Sequence, residues 1–368
     1  MSWEIKTLEE LFVKGSSKLT LKAVKDSAGP FKVFGAKGLC GHSNQYDQEQ
    51  RYFAVIKDGA GVGRISCHEP QSSVLGTMQY LIPRGHENFR FLHYALLNLK
   101  LSSFAVGSTI PHIYFKDYKG LNIGVPTFEE QERIVAVLDE AFAAIDKAKA
   151  NIERKLTNAR ELFQSRLNDI FSNPSEDWEV KPLGEVCGVL NGRAYKKTEL
   201  LDQGRDLVLR VGNFFTNKKY FYSDLDLPEK NYCESGDLLY AWSASFGPRI
   251  WQGGRAVFHY HIWKMVPEST LTRDFLFWFL EWDVDQVKRA HGTGTTMIHV
   301  TKRDMEARKM FLPPLLDQAS ISDELFDWKS KLDVLETKYQ TELDNLEELR
   351  QSILEQAFEG KLTEPVAA

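Results

Sequence analysis

Val125-Pro-Thr-Phe-Glu-Glu-Gln-Glu-Arg-Ile134 and Leu312-Pro-Pro-Leu-Leu-Asp-Gln-Ala-Ser-Ile321 are one piece of chain written twice, 187 positions apart. The offset holds without a gap from residues 107–171 to residues 294–358, through Gly107/Gly294, Thr109/Thr296, His112/His299, Asp117/Asp304, Pro126/Pro313, Gln131/Gln318 and Phe171/Phe358. A constant offset across glycines, polar loop residues and apolar residues marks a duplicated module, and its period is far too long for a solenoid. Two copies of a domain plus its helix imply a pseudo-two-fold object, suited to a two-fold or bipartite target.

Downstream of each quoted stretch, apolar or small residues recur at spacings of four and three. The first copy runs Ile134, Leu138, Ala141, Ile145, Ala148, Ile152, Ala159, Leu162; the second runs Ile321, Leu325, Trp328, Leu332, Leu335, Tyr339, Leu346, Leu349, Ile353. Both miss at one slot, Lys155 and Glu342. A period of about 3.5 residues predicts a coiled-coil seam. If the copies are related by a two-fold axis across the helices, the pair is antiparallel with a globular domain at each end. The 36 residues from Ile134 to Asp169 make about 54 Å of helix, the length of roughly 16 base pairs. A plain antiparallel hairpin serving as a core fits the same pattern. Thr127 with Glu130 has capping-box spacing at the first helix start.

Working outward, the globular segments open alike, with Trp3-Glu-Ile-Lys-Thr-Leu8 against Trp178-Glu-Val-Lys-Pro-Leu183, and then diverge. Six of the eight tryptophans lie from Trp178 to Trp282, so the second domain carries the heavier aromatic load. β-rich runs at residues 33–39, 52–65, 207–215, 237–250 and 257–266 alternate with glycine turns, and one helical stretch precedes each repeat, at 89–99 and 272–287. The predicted fold class is α+β, with two globular domains joined by two long helices in an antiparallel coiled coil and a pseudo-two-fold internal duplication. The predicted segments are a domain over 1–127, a helix over 128–173, a domain over 174–314, a helix over 315–361 and a tail over 362–368.

With 368 residues, 43% of them apolar, the chain can build ordinary cores. The N-terminal stretch has no apolar signal region and no apolar run approaches the ~20 residues of a membrane span, so a cytoplasmic location is expected. Cys40, Cys67, Cys187 and Cys233 lack CxxC or zinc-ligand spacing, which predicts reduced, mostly buried thiols. The net charge of −5 conceals a division: residues 1–127 carry 15 basic against 10 acidic side chains, residues 174–314 carry 19 of each, and residues 315–368 carry 5 against 13. Domains that are basic or neutral can face phosphates while an acidic helix faces elsewhere.

Two glycine- or serine-containing loops occupy similar places in the halves, Lys57-Asp-Gly-Ala-Gly-Val-Gly-Arg64 and, after Asp237, Trp242-Ser-Ala-Ser-Phe-Gly-Pro-Arg249. Small residues let backbone approach phosphate, and arginine can pair with guanine or phosphate. The candidate contacts in these loops are Lys57, Arg64, Trp242, Ser243 and Arg249; a hairpin turn with a surface arginine is the alternative. The repeated segments add Ser108, Thr109, His112 and Lys116 in the first copy, and Thr293, Thr295, Thr296, His299, Lys302 and Arg303 in the second. Their amides and hydroxyls suit phosphate oxygens, although the threonines and histidines can equally fasten the loop to its domain. No GxxxxGK[ST] loop and no Asn-Pro-Pro-aromatic motif is present; Asn173-Pro-Ser-Glu176 lacks the second proline and the aromatic residue.

The ordered duplication, the Trp-Glu openings and the terminal Gln356-Ala-Phe-Glu-Gly-Lys-Leu362 together resemble the specificity subunits of Type I restriction-modification systems, over essentially the whole chain. The resemblance implies two target recognition domains, each reading one half of a bipartite double-stranded DNA sequence. It also implies helices that set the spacing and dock two methylation subunits, with restriction subunits as further partners. It implies a subunit that is non-catalytic alone and binds no cofactor, with S-adenosylmethionine, ATP and Mg on the partner subunits. Two rival classes stand beside it: a coiled-coil adaptor that binds only proteins, and a DNA-modifying enzyme with an active site of another type.

Overall fold

The computed structural model describes residues 3–216, 219–243, 247–290 and 300–362. The chain divides into two compact units, residues 1–152 with 340–368, and residues 153–339. Each holds one α+β globular domain and a portion of both long helices, Phe128–Ser172 of 45 residues and Leu315–Phe358 of 44. Among the described residues no helix is long and apolar enough to cross a membrane.

The two domains are closed by the same clasp. In the first, Glu4–Thr7 pairs antiparallel with Asn122–Val125, the strand just before the long helix. In the second, Glu179–Pro182 pairs with Lys309–Leu312 in the same way. One further bond continues each clasp, Leu8 N–H to the Leu121 carbonyl at 2.9 Å and Leu183 N–H to the Arg308 carbonyl at 2.7 Å. Each domain thus starts and ends at the root of its helix.

Inside the first domain the strand order is Phe12–Ser16, Met78–Pro83, Tyr52–Ile56, Ile65–His68, all antiparallel, beside a three-stranded sheet of Gly38–Ser43, Phe31–Gly35 and Ser72–Val74. Every residue of Tyr52–Ile56 is buried. Alternation along the strand explains this: Phe53 and Val55 point into the core shared with helix Phe89–Asn98, while Tyr52, Ala54 and Ile56 enter a second core with Val74 and Tyr80. Burying a side chain the size of Phe53 contributes roughly 1.5–3 kcal/mol. The second domain repeats the device. Its order is Cys187–Asn191, Ile262–Pro267, Leu238–Ala241, Gly247–Ile250. Leu238 and Tyr240 enter one core, and Leu239 and Ala241 the other.

The predicted β runs 33–39, 52–65 and 237–250 each span parts of two paired antiparallel strands, and the other two runs differ in further ways. Residues 207–215 start as strand Asp206–Leu209 and then turn into helix Val211–Thr216. Asn213 makes the switch: its Oδ1 accepts from Arg210 N–H at 2.7 Å and its Nδ2 donates to the Val208 carbonyl at 3.0 Å. The run 257–266 is two strands, Ala256–Phe258 and Ile262–Pro267, broken at His259-Tyr-His261. All four cysteines are free thiols; Cys187 and Cys233 are buried as expected, Cys40 is half-buried and Cys67 is exposed.

The long helices run antiparallel within each unit. In the first, Arg350 Nη1 meets Asp146 Oδ1 at 2.7 Å and Lys149 pairs with Glu347. In the second, Arg160 meets Glu336 at 2.7 Å and Arg166 meets Glu324 at 2.8 Å. Such exposed pairs are worth at most about 1 kcal/mol each, so they select register more than they hold the helices together. The buried stripe also departs from the predicted heptad seam. Ile134, Leu138 and Ile145 are buried, but Leu162 is 61% exposed, with half-buried Phe163 taking its place and Leu167 buried beyond. At about 100° per residue, a straight helix carries residue 162 some 80° away from the Ile134 direction and residue 163 to within about 20° of it. The second helix drifts likewise, exposing Leu335 and Leu349 and burying Leu354.

Candidate nucleic-acid interface

In the first domain, residues 57–64 join strands Tyr52–Ile56 and Ile65–His68. Gly59, Gly61 and Gly63 all have left-handed φ, between +84 and +89°, which a side chain resists. At Gly63 a Cβ would also lie 2.3 Å from the Ser102 backbone nitrogen. This loop is zipped to the repeated segment: Gly59 N–H donates to the Pro111 carbonyl at 2.8 Å, and Ile113 N–H donates to the Lys57 carbonyl at 2.9 Å. Two sequence-distant candidate segments therefore form one surface.

That surface borders a groove lined by Lys14, Lys57, Lys116 and Lys119, with Tyr114 and the carboxylates of Glu9 and Asp58. Lys119 meets Glu9 at 2.7 Å and Lys57 meets Asp58 at 3.5 Å. Lys14 and Lys116 have no carboxylate within ion-pair distance among the described residues, and Lys116 lies 5.4 Å from the centre of the Tyr114 ring. Four ammonium groups against two carboxylates leave a cationic trough at the mouth of the loop. Ser108 and Thr109 are exposed at the adjoining turn, while His112 Nδ1 lies 3.3 Å from the Ile110 carbonyl and its ring packs edge-on against Tyr114. Arg64 is exposed beyond the trough, donating to the Gly61 carbonyl at 3.4 Å and the Ala36 carbonyl at 3.2 Å.

The second domain has the same frame with a different lining. Val300 N–H reaches the Trp242 carbonyl at 3.5 Å, the counterpart of the Ile113–Lys57 bond. Trp242 thus occupies the place of Lys57, stacked on Trp263 at 5.7 Å with its Nε1 donating to the Tyr260 carbonyl at 2.8 Å. Nearby, a pocket is lined by Tyr195, Arg210, Asn213, Lys219, His259 and Tyr260, among others. The Arg210 guanidinium and the Lys219 ammonium lie 5.1 and 4.8 Å from the Phe221 ring centre. Burial, followed by the nearby His261 and Arg210 charges, pushes the His259 imidazole down to about 4. It is neutral at physiological pH, so one ring nitrogen can accept while the other donates. The Tyr195 hydroxyl is buried without a hydrogen-bond partner among the described residues.

Two sequence-based candidates sit differently than expected. Strand pairing places Arg249 opposite Leu239 inside strand Gly247–Ile250, so Ser66, opposite Ala54, is its counterpart rather than Arg64. Its guanidinium donates to the Phe214 carbonyl and packs over the Phe214 and Phe215 rings. Arg249 is therefore half-buried in a strand, with its donors turned inward, rather than at the end of an exposed loop. Ser243 is 2% exposed and belongs to the domain interior. Lys302 and Arg303 lie on helix Lys302–Glu306, capped by the Thr301 hydroxyl accepting from Asp304 N–H at 3.1 Å. Arg303 is exposed and Lys302 pairs with Glu306 at 3.4 Å. Thr293, Thr295, Thr296 and His299 lie outside the described residues.

Sequence reasoning missed Lys14, Lys119 and Tyr114 in the first domain and Tyr195, Arg210, Lys219 and His259 in the second. The strongest overlooked signal was His259-Tyr-His261, a dense ring-bearing run that interrupts a β pattern. Lys14 and Lys119 carried no local signal, because only the fold brings them to residue 57. Lysines in such a trough can hold phosphate oxygens, whereas rings and a neutral imidazole can meet base edges or faces.

The model of the Type I restriction modification DNA specificity domain matches the chain twice, over residues 1–158 and 175–345. The chain is 22% identical over 209 residues to the Type I restriction enzyme EcoBI specificity subunit of Escherichia coli, a match covering 56% of this chain and 44% of that one. It is 24% identical over 292 residues to the MjaVIII specificity subunit of Methanocaldococcus jannaschii, covering 71% and 67%. Among solved structures, a chain from work on complex assembly and conformational transition of the type I R-M system aligns over 98% of both chains, with TM-score 0.77 and 18% identity. The HsdS subunit from Thermoanaerobacter tengcongensis aligns with TM-score 0.55 and 18% identity, over 98% of this chain and 97% of its own.

Proposed function

Since the chain belongs to the family defined by the Type I restriction modification DNA specificity domain, we infer that it is the DNA sequence-specificity subunit of a Type I restriction-modification complex. Each globular domain reads one half of a bipartite target, and the long helices set the unread spacer and dock two methylation subunits. The observation that supports this best is a duplicated frame with unlike linings: both domains share clasp, strand order and helix root, yet Lys57 faces a lysine trough where Trp242 adjoins an aromatic and histidine pocket. Matching clasps and four-stranded sheets with different contact chemistry suit two different half-sites. For the helices, the supporting observation is apolar surface left open on them, with Leu162 61% and Val334 66% exposed.

In this reading the subunit performs no chemistry itself. S-adenosylmethionine belongs to the methylation subunits, ATP and Mg to the restriction subunits, and the complex works in the cytoplasm. The test is binding of duplex DNA by the chain assembled with its methylation subunits, measured across salt concentrations and followed by mapping of methylated bases. Salt-dependent binding with methylation of one bipartite sequence is expected. Absence of DNA binding would favour the protein-only adaptor, and methylation by the purified chain alone would favour an enzyme.

A further inference from the structure

Gln131 and Gln318 are 3% and 0% exposed, each in the first turn of a long helix. Buried amides need partners, and both find them at the same two places, with Gln318 making one bond more. Gln131 Oε1 accepts from the backbone N–H of Asn88 at 2.8 Å, while its Nε2 donates to the Pro126 carbonyl at 3.0 Å. Gln318 Oε1 accepts from Thr272 N–H at 2.7 Å, and its Nε2 donates to the carbonyls of Pro313 at 2.8 Å and Thr270 at 2.9 Å. Asn88 is the N-cap of helix Phe89–Asn98, and Thr272 directly precedes helix Arg273–Ala290. Each glutamine therefore ties the start of its domain's own helix to the root of the long helix.

Below this point the two copies part company. In the first, helix Phe89–Asn98 is held along the long helix by polar contacts, Arg90 Nε and the Tyr94 hydroxyl to Asp139 Oδ1 at 2.6 and 2.5 Å. In the second, the position 187 residues on is Phe326, which packs on Trp278 at 4.9 Å and Phe277 at 5.8 Å. Polar contacts in one copy have been exchanged for aromatic ones in the other, while the glutamine bridge is retained in both. A contact that only filled space would have been as free to diverge as its neighbours.

We propose that Gln131 and Gln318 are positioning residues for DNA recognition: each fixes the angle of its domain on its long helix, and so sets how strictly the protein demands one spacer length between half-sites. The inference rests on the two-half-site reading given above. The test uses the assembled methyltransferase and duplexes carrying the sequence that the native complex methylates, with the unread spacer unchanged or one base pair longer or shorter. Gln131→Leu and Gln318→Leu come close to the native side-chain volume and remove two and three bonds respectively. Each is expected to relax discrimination against the altered spacers by about tenfold, the effect of one to two buried hydrogen bonds, with base preference in both half-sites retained. Gln131→Glu supplies a second arm. Ionised, it has no proton for the Pro126 carbonyl; protonated, it reproduces both bonds, so strictness lost at pH 8 should return towards pH 5.5 relative to the native complex at the same pH.

If a leucine variant fails to assemble, the glutamate variant read at two pH values still decides. Unchanged spacer discrimination in folded variants, or loss of strictness with no return at low pH, overturns the proposal. A native complex without sequence-specific binding would instead overturn the two-half-site reading beneath it.

Discussion

Replacing Lys14 and Lys116 together by alanine tests the trough of the first domain, because these are its lysines without a carboxylate neighbour among the described residues. Lys57 and Lys119 already face Asp58 and Glu9, so their net pull on a phosphate is weaker. If Lys14 and Lys116 each neutralise one phosphate, the slope of log affinity against log salt falls by about 1.8, at about 0.9 per contact. Between 50 and 200 mM salt the native affinity should then fall about twelvefold more than that of the double variant. Both side chains are exposed, so folding should be unaffected. The assay is a set of binding isotherms on cognate and scrambled duplexes at four salt concentrations, with thermal unfolding alongside. An equal loss on both duplexes is expected, since phosphate contacts carry no sequence information. An unchanged salt slope in a folded double variant would refute the trough as a phosphate surface.

Arg64→Ala and Arg249→Ala should separate. Arg64→Ala leaves thermal stability within experimental error and weakens DNA binding, whereas Arg249→Ala, which strips the Phe214 carbonyl of its donor, lowers stability by roughly 1–3 kcal/mol in a melt. His68 gives a pH signature. Burial pushes its imidazole down from 6.5 to about 4, so its contribution to stability is complete above about pH 6.5 and is lost as pH falls towards 4. The loss approaches about 3 kcal/mol, and His68→Gln should flatten the unfolding profile over that window. Inserting seven residues at matched positions of both long helices adds about 10.5 Å to each, so an active variant should methylate sites with a spacer roughly three base pairs longer; methylation at the original spacer would argue against the helices as the ruler.

The duplication was legible because it lies in the frame, in residues such as Pro126, Gln131 and their partners 187 positions on that build the helix root in both copies. The helices were legible for the same reason, but their contact line was not. A heptad template fixed on Ile134 selects Leu162, and only the rotation of a straight helix reveals that Phe163 faces inward. Arg249 lies elsewhere than Arg64 because two loop strings of unequal build that each end in arginine say nothing about strand register, which shifts the residue by two places relative to Arg64. The contact surface was only partly visible. Lys14 and Lys119 come from separate places in the chain and reach Lys57 only through the fold, whereas Lys57, His112 and Lys116 stand out because they lie in or beside glycine-containing segments.

On the function proposed above, each domain reads its own half of the target. Residues 1–127 exchanged for the corresponding domain of a relative, in the assembled methyltransferase, with the methylated bases mapped across a genome, tests it most directly. A hybrid sequence is expected, in which one half-site is new and the other is unchanged. Methylation altered in both halves, or in neither, would contradict it.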